Sequence, residues 1–144
     1  MSVPSNNNNL SAKIFNDEHS FDGLYRRVFI VTDPTQPDNP IIDVDPIFAA
    51  WLGYDKKDIV GKNCRFLQGT YPDRQAKQTV EEIIKSKQPG KVSVKNYRAN
   101  GQAFINTFEI EPFYDNKGKP ILFVGRHLAV NVIHQEHCDS VTPL

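Results

Sequence analysis

Apolar and polar positions change period several times along this chain, and each change marks an element. Val28–Thr32 is a β-branched run that predicts a first strand, and Ile41–Val44 predicts a short second one. The stretch between them, Asp33-Pro34-Thr35-Gln36-Pro37-Asp38-Asn39-Pro40, is a turn cluster. Asp45 then Pro46 reads as an N-cap followed by proline at the first helical position. The helix they open carries Phe48, Ala49 and Leu52 as far as Gly53, a C-terminal stop. Lys56–Val60 and Asn63–Leu67 predict two further helical turns, separated by Gly61. Ala76, Val80, Ile83 and Ile84 fall roughly on one face of the longest helix, Asp73–Ser86. Strands follow over Lys91–Arg98, Ala103–Phe113 and Pro120–Asn131, with hairpin turns at Ala99-Asn100-Gly101 and Asp115-Asn116-Lys117-Gly118. Near the start, Leu10, Ile14, Phe15 and Leu24 predict a cap helix. The pattern gives an α+β domain over 25–131, with helices on one face of a five-stranded antiparallel sheet and a cavity between the layers. Residues 1–24 form a flexible N-terminal segment with the cap helix, and 132–144 a short polar tail.

Alternation divides each strand into two faces. One face carries Val28, Ile30 and Thr32; Val92, Val94 and Asn96; Phe104, Asn106, Phe108 and Ile110; and Ile121, Phe123, Gly125 and His127. The other carries Phe29, Val31, Ile105, Leu122, Val124 and Leu128, an apolar surface that needs a cover. The cover would be segment 10–24, a second copy of the chain, or a further domain. The first face is mostly apolar, interrupted by Asn96, Asn106 and His127. One such interruption is ordinarily a structural hydrogen bond. An unpartnered buried amide costs on the order of 1–3 kcal/mol, so three on one inner face point to a ligand with donors and acceptors. Asn96 and Asn106 share that face only if their loop has an odd number of residues. The reading therefore requires a three-residue loop with Gly101 in the left-handed conformation.

Composition narrows the class. Seventeen basic and seventeen acidic side chains cancel over 144 residues, which gives no bulk charge footprint for nucleic acid or membrane. No apolar run has spanning length and the N-terminus shows no signal segment, so an intracellular (cytoplasmic) location is expected. Cys64 and Cys138 make no disulfide framework, and with His19, His127, His134 and His137 they supply no four-ligand metal set. Cys138 has no motif around it and is assigned no role.

The chemistry concentrates in Gly61-Lys62-Asn63-Cys64-Arg65-Phe66-Leu67-Gln68-Gly69. At helical spacing Cys64 and Gln68 share a face, flanked by Asn63 and Arg65. A thiol, amides and a guanidinium in one turn suit a ring with a hydrogen-bonding edge and a phosphate tail. This run closely resembles the flavin-binding motif of the light-oxygen-voltage (LOV) domains, a photosensory branch of the PAS fold. Lys62 in place of arginine is its only departure from the commonest form. The resemblance runs without gaps from about Phe29 to Leu128, and the element order is similar to that of a PAS fold. It implies that Asn63, Gln68, Asn96 and Asn106 contact a flavin, that Thr32, Phe48, Leu67, Phe108 and Gly125 line its ring, and that Arg65 meets its phosphate. The cofactor implied is flavin mononucleotide (FMN), with riboflavin as the other candidate. Cys64 is implied to be the photoreactive thiol, which adds reversibly to flavin carbon C4a under blue light.

Two positions depart from the family. Glu81 stands where many members carry a second phosphate-binding arginine, leaving Arg74, Lys77 or Gln78 to compensate. His127 replaces the glutamine that relays flavin protonation to the sheet. The resemblance implies a photosensory module rather than an enzyme, bound to a flavin and to no nucleic acid, with a homodimer through the outer sheet face or the N-terminal cap as one arrangement. Two other readings stand beside it. One is a flavin redox sensor in which Cys64 is incidental and Trp51, Tyr25, Tyr54, Tyr71 or Tyr97 donate electrons. The other is a PAS interaction module that binds no flavin.

Overall fold

A computed structural model describes residues 28–137 of the chain. The flexible segment and cap helix read from 1–24, and Cys138 in the tail, lie outside the described residues. The elements are β1 (Val28–Thr32), β2 (Ile41–Val44), α1 (Pro46–Leu52), α2 (Lys56–Ile59), a 3-10 segment (Cys64–Gln68), α3 (Arg74–Ser86), β3 (Gly90–Tyr97), β4 (Gln102–Tyr114) and β5 (Pro120–His137). Local chemistry accounts for most of these bounds. The Asp45 carboxylate accepts from the Ile47 backbone N–H at 2.8 Å, so α1 starts at Pro46. It stops at Gly53, whose φ is +95°. Asp73 caps α3 in the same manner, accepting from Ala76 N at 2.9 Å.

The five strands form one antiparallel sheet in the order β2-β1-β5-β4-β3. The β3–β4 hairpin meets the parity requirement. Tyr97 pairs with Ala103, Arg98 N donates to Gln102 O at 2.9 Å, and Gly101 has φ +88°. The loop is therefore the three residues Ala99-Asn100-Gly101, and Asn96 and Asn106 share a face. Gly53 closes α1 against this loop. A Cβ on it would lie 2.9 Å from the Ala99 side chain, Ala99 N donates to Leu52 O at 2.7 Å, and the Arg98 guanidinium sits over the Trp51 ring.

Three expectations are corrected. β5 continues to His137, whose backbone pairs with Gln102, so residues 132–137 are strand and not tail. A ladder needs backbone partners, which the long β4 supplies, and the polar residues there hid it. Ile121, assigned to the inner face, is exposed at the hairpin end of β5. Phe29, assigned to the outer face, is buried and packs inward on Phe48, Phe108 and His127. A register shift between Val28 and Ile30 interrupts the alternation on which the outward assignment rested. The opposing Gly125 makes the room, since a Cβ there would lie 2.7 Å from the Phe29 ring.

Two apolar clusters fill the space between sheet and helices. One gathers Phe29, Ile41, Phe48, Trp51, Leu52, Ile59 and Phe104 under α1 and α2. The other sets Ala76 and Ile83 of α3 against Val92, Val94, Ile110 and Phe123. Phe108, half-buried, packs on both.

Candidate functional site

The seam between the two clusters carries the polar groups. Asn96 is the cross-strand partner of Phe104, from the first cluster, and Asn106 is the partner of Val94, from the second. Both amides are buried, and Asn106 Nδ2 donates to Asn96 Oδ1 at 3.1 Å. Asn96 Nδ2 donates to the Lys95 carbonyl at 3.2 Å. The Asn106 Oδ1 atom has no protein hydrogen-bond partner. A core needing only stability would close this seam with apolar side chains, since a buried oxygen left unpaired costs on the order of 1–3 kcal/mol. The orphaned acceptor and the paired amide beside it suit a ring edge that offers an N–H between acceptors.

Around the amides stand the other residues expected at the ring. His127 and Phe48 are fully buried with ring centroids 4.7 Å apart, and Thr32, Leu67 and Gly125 are buried. Phe29 was missed by the alternation argument. It stacks on His127 at 4.2 Å and meets Phe48 and Phe108 edge-on at 5.1 and 5.4 Å. Its signal in the sequence is indirect, a glycine on the facing strand at Gly125 that leaves space for an aromatic ring.

The motif run is a 3-10 helix. Phe66 N donates to Asn63 O at 3.2 Å, and at three residues per turn positions i and i+3 align. Cys64 therefore shares its row with Leu67, and the shared face with Gln68 is corrected. The Cys64 residue keeps some exposed surface while its sulfur is enclosed against the first cluster. Burial pushes its thiol up to about 12, so the sulfur stays protonated through neutral pH. Gln68 Oε1 accepts from Asp73 N at 2.7 Å, tying the segment to the start of α3.

The expected phosphate end is on the surface. Asn63 Oδ1 accepts from Arg65 N at 3.0 Å, and both residues reach the turn before β2 at Asp38. Lys77 and Gln78 are exposed on α3, where Gln78 Nε2 reaches Glu82 at 3.4 Å. The structure brings together Cys64, Leu67, Phe48, Phe108, Asn96, Asn106, Gly125 and His127 around the seam and core. Asn63 and Arg65 reach the surface turn at Asp38, and Lys77 and Gln78 are exposed on α3. The described residues contain no cluster of three or more metal-ligating side chains, and none of their helices is long and apolar enough to cross a membrane.

Comparison with known proteins identifies the family and the fold. The profile of the PAS domain matches residues 27–127. A blue-light photoreceptor of Listeria innocua is 41% identical over 105 residues, covering 73% of this chain and 41% of its own. Phototropin-2 of rice is 38% identical over 116 residues, covering 81% of this chain and 12% of its own. The chain thus spans about two fifths and about an eighth of the lengths of these relatives. The light-state structure of the Aureochrome1 LOV photoreceptor superposes with a TM-score of 0.62 at 32% identity, covering 78% of this chain and 85% of the other. With the motif run intact and the sheet, helices and amide pair in place, the chain belongs to the PAS domain family and, within it, to the light-oxygen-voltage domains.

Proposed function

We propose that this chain is a blue-light sensing flavoprotein module in which Cys64 forms a reversible covalent bond with the flavin. The buried Asn96–Asn106 pair with its orphaned acceptor carries the reading, because a polar ring edge would satisfy an acceptor that is otherwise costly to bury. The flavin supplies light absorption and an electrophilic ring carbon. Cys64 supplies a protonated, enclosed sulfur. With a flavin bound, Cys64 would supply both the sulfur for a reversible covalent bond to the ring and the thiol proton that bond formation releases. Holding the thiol beside the ring makes this a proximity effect rather than turnover. Phe48, Phe108, Leu67 and Thr32 would line the ring, and Gln68 and Asn63 would serve its polar side. FMN is the cofactor, with Arg65 at its phosphate and Lys77 or Gln78 in place of the missing arginine. The outer sheet face, where Val31, Ile105, Leu122 and Leu128 are half-buried, suits a second copy, segment 10–24 or a further domain.

The test is an absorption spectrum taken before a blue flash, just after it, and again in the dark. Loss and return of the flavin band is the expected result. A yellow protein that only photoreduces would support the redox-sensor reading. A protein colourless after expression with flavin supplied would support the interaction module.

His127 would report flavin protonation from β5. An imidazole differs from the usual glutamine in shape and in where it places its donor and acceptor. His127→Gln is expected to change the dark recovery rate and shift the flavin band. Identical spectra and rates in the two proteins would remove His127 from the signalling path.

A further inference from the structure

Asp38 holds two of the expected flavin-binding residues at once. Arg65 Nη1 donates to Asp38 Oδ1 at 2.9 Å, and Arg65 Nη2 pairs with Asp38 Oδ2. Asn63 Nδ2 donates to the Asp38 backbone carbonyl at 2.7 Å, while Asn63 Oδ1 accepts from Arg65 N. The turn that presents Asp38 is itself tied down. Asp33 accepts from Thr35 N at 2.9 Å and from Gln36 Nε2 at 2.8 Å, and Asp33 N donates to Pro40 O at 3.0 Å. Asp38 has φ +66°, a left-handed conformation that aspartate tolerates better than most residues.

We propose that Asp38 is a specificity-determining residue that weakens this pocket's preference for a phosphorylated flavin over riboflavin, by occupying Arg65 and placing a like charge beside the phosphate. The inference rests on the flavin reading above. A guanidinium has five donors in a fixed fork. Asp38 takes one from each terminal nitrogen, which leaves a side-on pair for a second anion. A phosphate docking there shares the Arg65 cation with a carboxylate. The Arg65 hydrogen bonds hold the Asp38 carboxyl below the usual carboxylate range, so that charge persists wherever the phosphate is dianionic. Glu81 on α3 stands where many relatives of the motif carry a second arginine, so Arg74, Lys77 or Gln78 is left to supply the second contact. Both partners are exposed, so solvent and salt moderate the effect without removing it. The ribityl and ring portions of the two flavins are the same, so their affinity ratio isolates the phosphate's share.

The experiment measures dissociation constants for FMN and riboflavin, by quenching of flavin fluorescence, with the 144-residue chain and its variants. Asp38→Asn is expected to raise the FMN-to-riboflavin preference by about threefold to fivefold, in the range of exposed ion pairs. Riboflavin affinity stays level, and the gain shrinks as salt is added. Arg65→Gln lowers the preference and cancels the effect of Asp38→Asn when the two are combined. A preference that stays the same or falls in Asp38→Asn overturns the proposal. So does an equal loss of both flavins, which would make Asp38 purely structural. Failure of the unaltered chain to bind either flavin would overturn the flavin reading, and this proposal with it.

Discussion

Cys64→Ala is expected to leave the flavin bound and to abolish the light-driven loss of its blue absorption band. On the flavin reading, the hydrogen bonds that orient the ring would come from the buried amides on β3 and β4 and not from the sulfur, so removing it deletes the bond-forming atom and little else. Retention of the same spectral change in Cys64→Ala would refute the assignment. A second measurement follows from the burial of the thiol, which sits at about 12 where an ordinary cysteine sits near 8.5. Because the neutral thiol reacts, adduct yield should be level between about pH 6 and pH 9.5, with no step in the ordinary thiol range. A rise in yield through pH 8.5 would mean that a thiolate reacts. The linkage has a defined sign. The folded pKa is raised, so above about pH 8.5 the unfolded chain sheds this proton while the folded one keeps it. The fold therefore weakens from there toward about pH 12, and Cys64→Ala lacks that contribution.

The helix starts and hairpin turns were legible because each depends on one or two residues with a fixed local task. Asp45 and Pro46 open α1, Gly53 closes it, and Gly101 sets the parity of the β3–β4 loop. That parity is what carries Asn96 and Asn106 to one face, so the central feature of the site followed from a local rule applied over ten residues. Phe29 was not legible, because alternation assumes an unbroken ladder. The break at Val28–Ile30 is accommodated by Gly125, on a strand almost a hundred residues later in the chain. The end of β5 was missed for a related reason. Its polar residues satisfy the ladder through the backbone, and the partner that demands the extra length is β4. The pairing of Arg65 with Asp38 was equally hidden, since nothing local says that a turn 27 residues earlier folds back on the motif. Local chemistry is readable one segment at a time, whereas a long-range contact becomes visible only when both of its halves are placed.

The amide pair separates a structural role from a binding one more sharply than any other feature of the fold. Asn96→Leu together with Asn106→Leu replaces two buried polar groups by apolar ones of similar size. Replacing both partners of a buried hydrogen bond this way is close to neutral or stabilising, and here it also removes an orphaned acceptor. The flavin-free double variant should therefore melt at the same temperature as the parent or higher. Flavin binding should move the opposite way. Each ring-edge hydrogen bond left unmade costs about 1–3 kcal/mol, so losing two weakens binding by roughly a hundredfold or more. Thermal denaturation without flavin and titration with flavin read the two effects separately. If the amides only hold β3 to β4, the order reverses, with a lower melting temperature and nearly unchanged affinity. Asn106→Leu alone should be worse for the fold than the double variant, because it leaves Asn96 Oδ1 buried without its donor. A single variant more stable than the double would contradict the pairing on which the site is built.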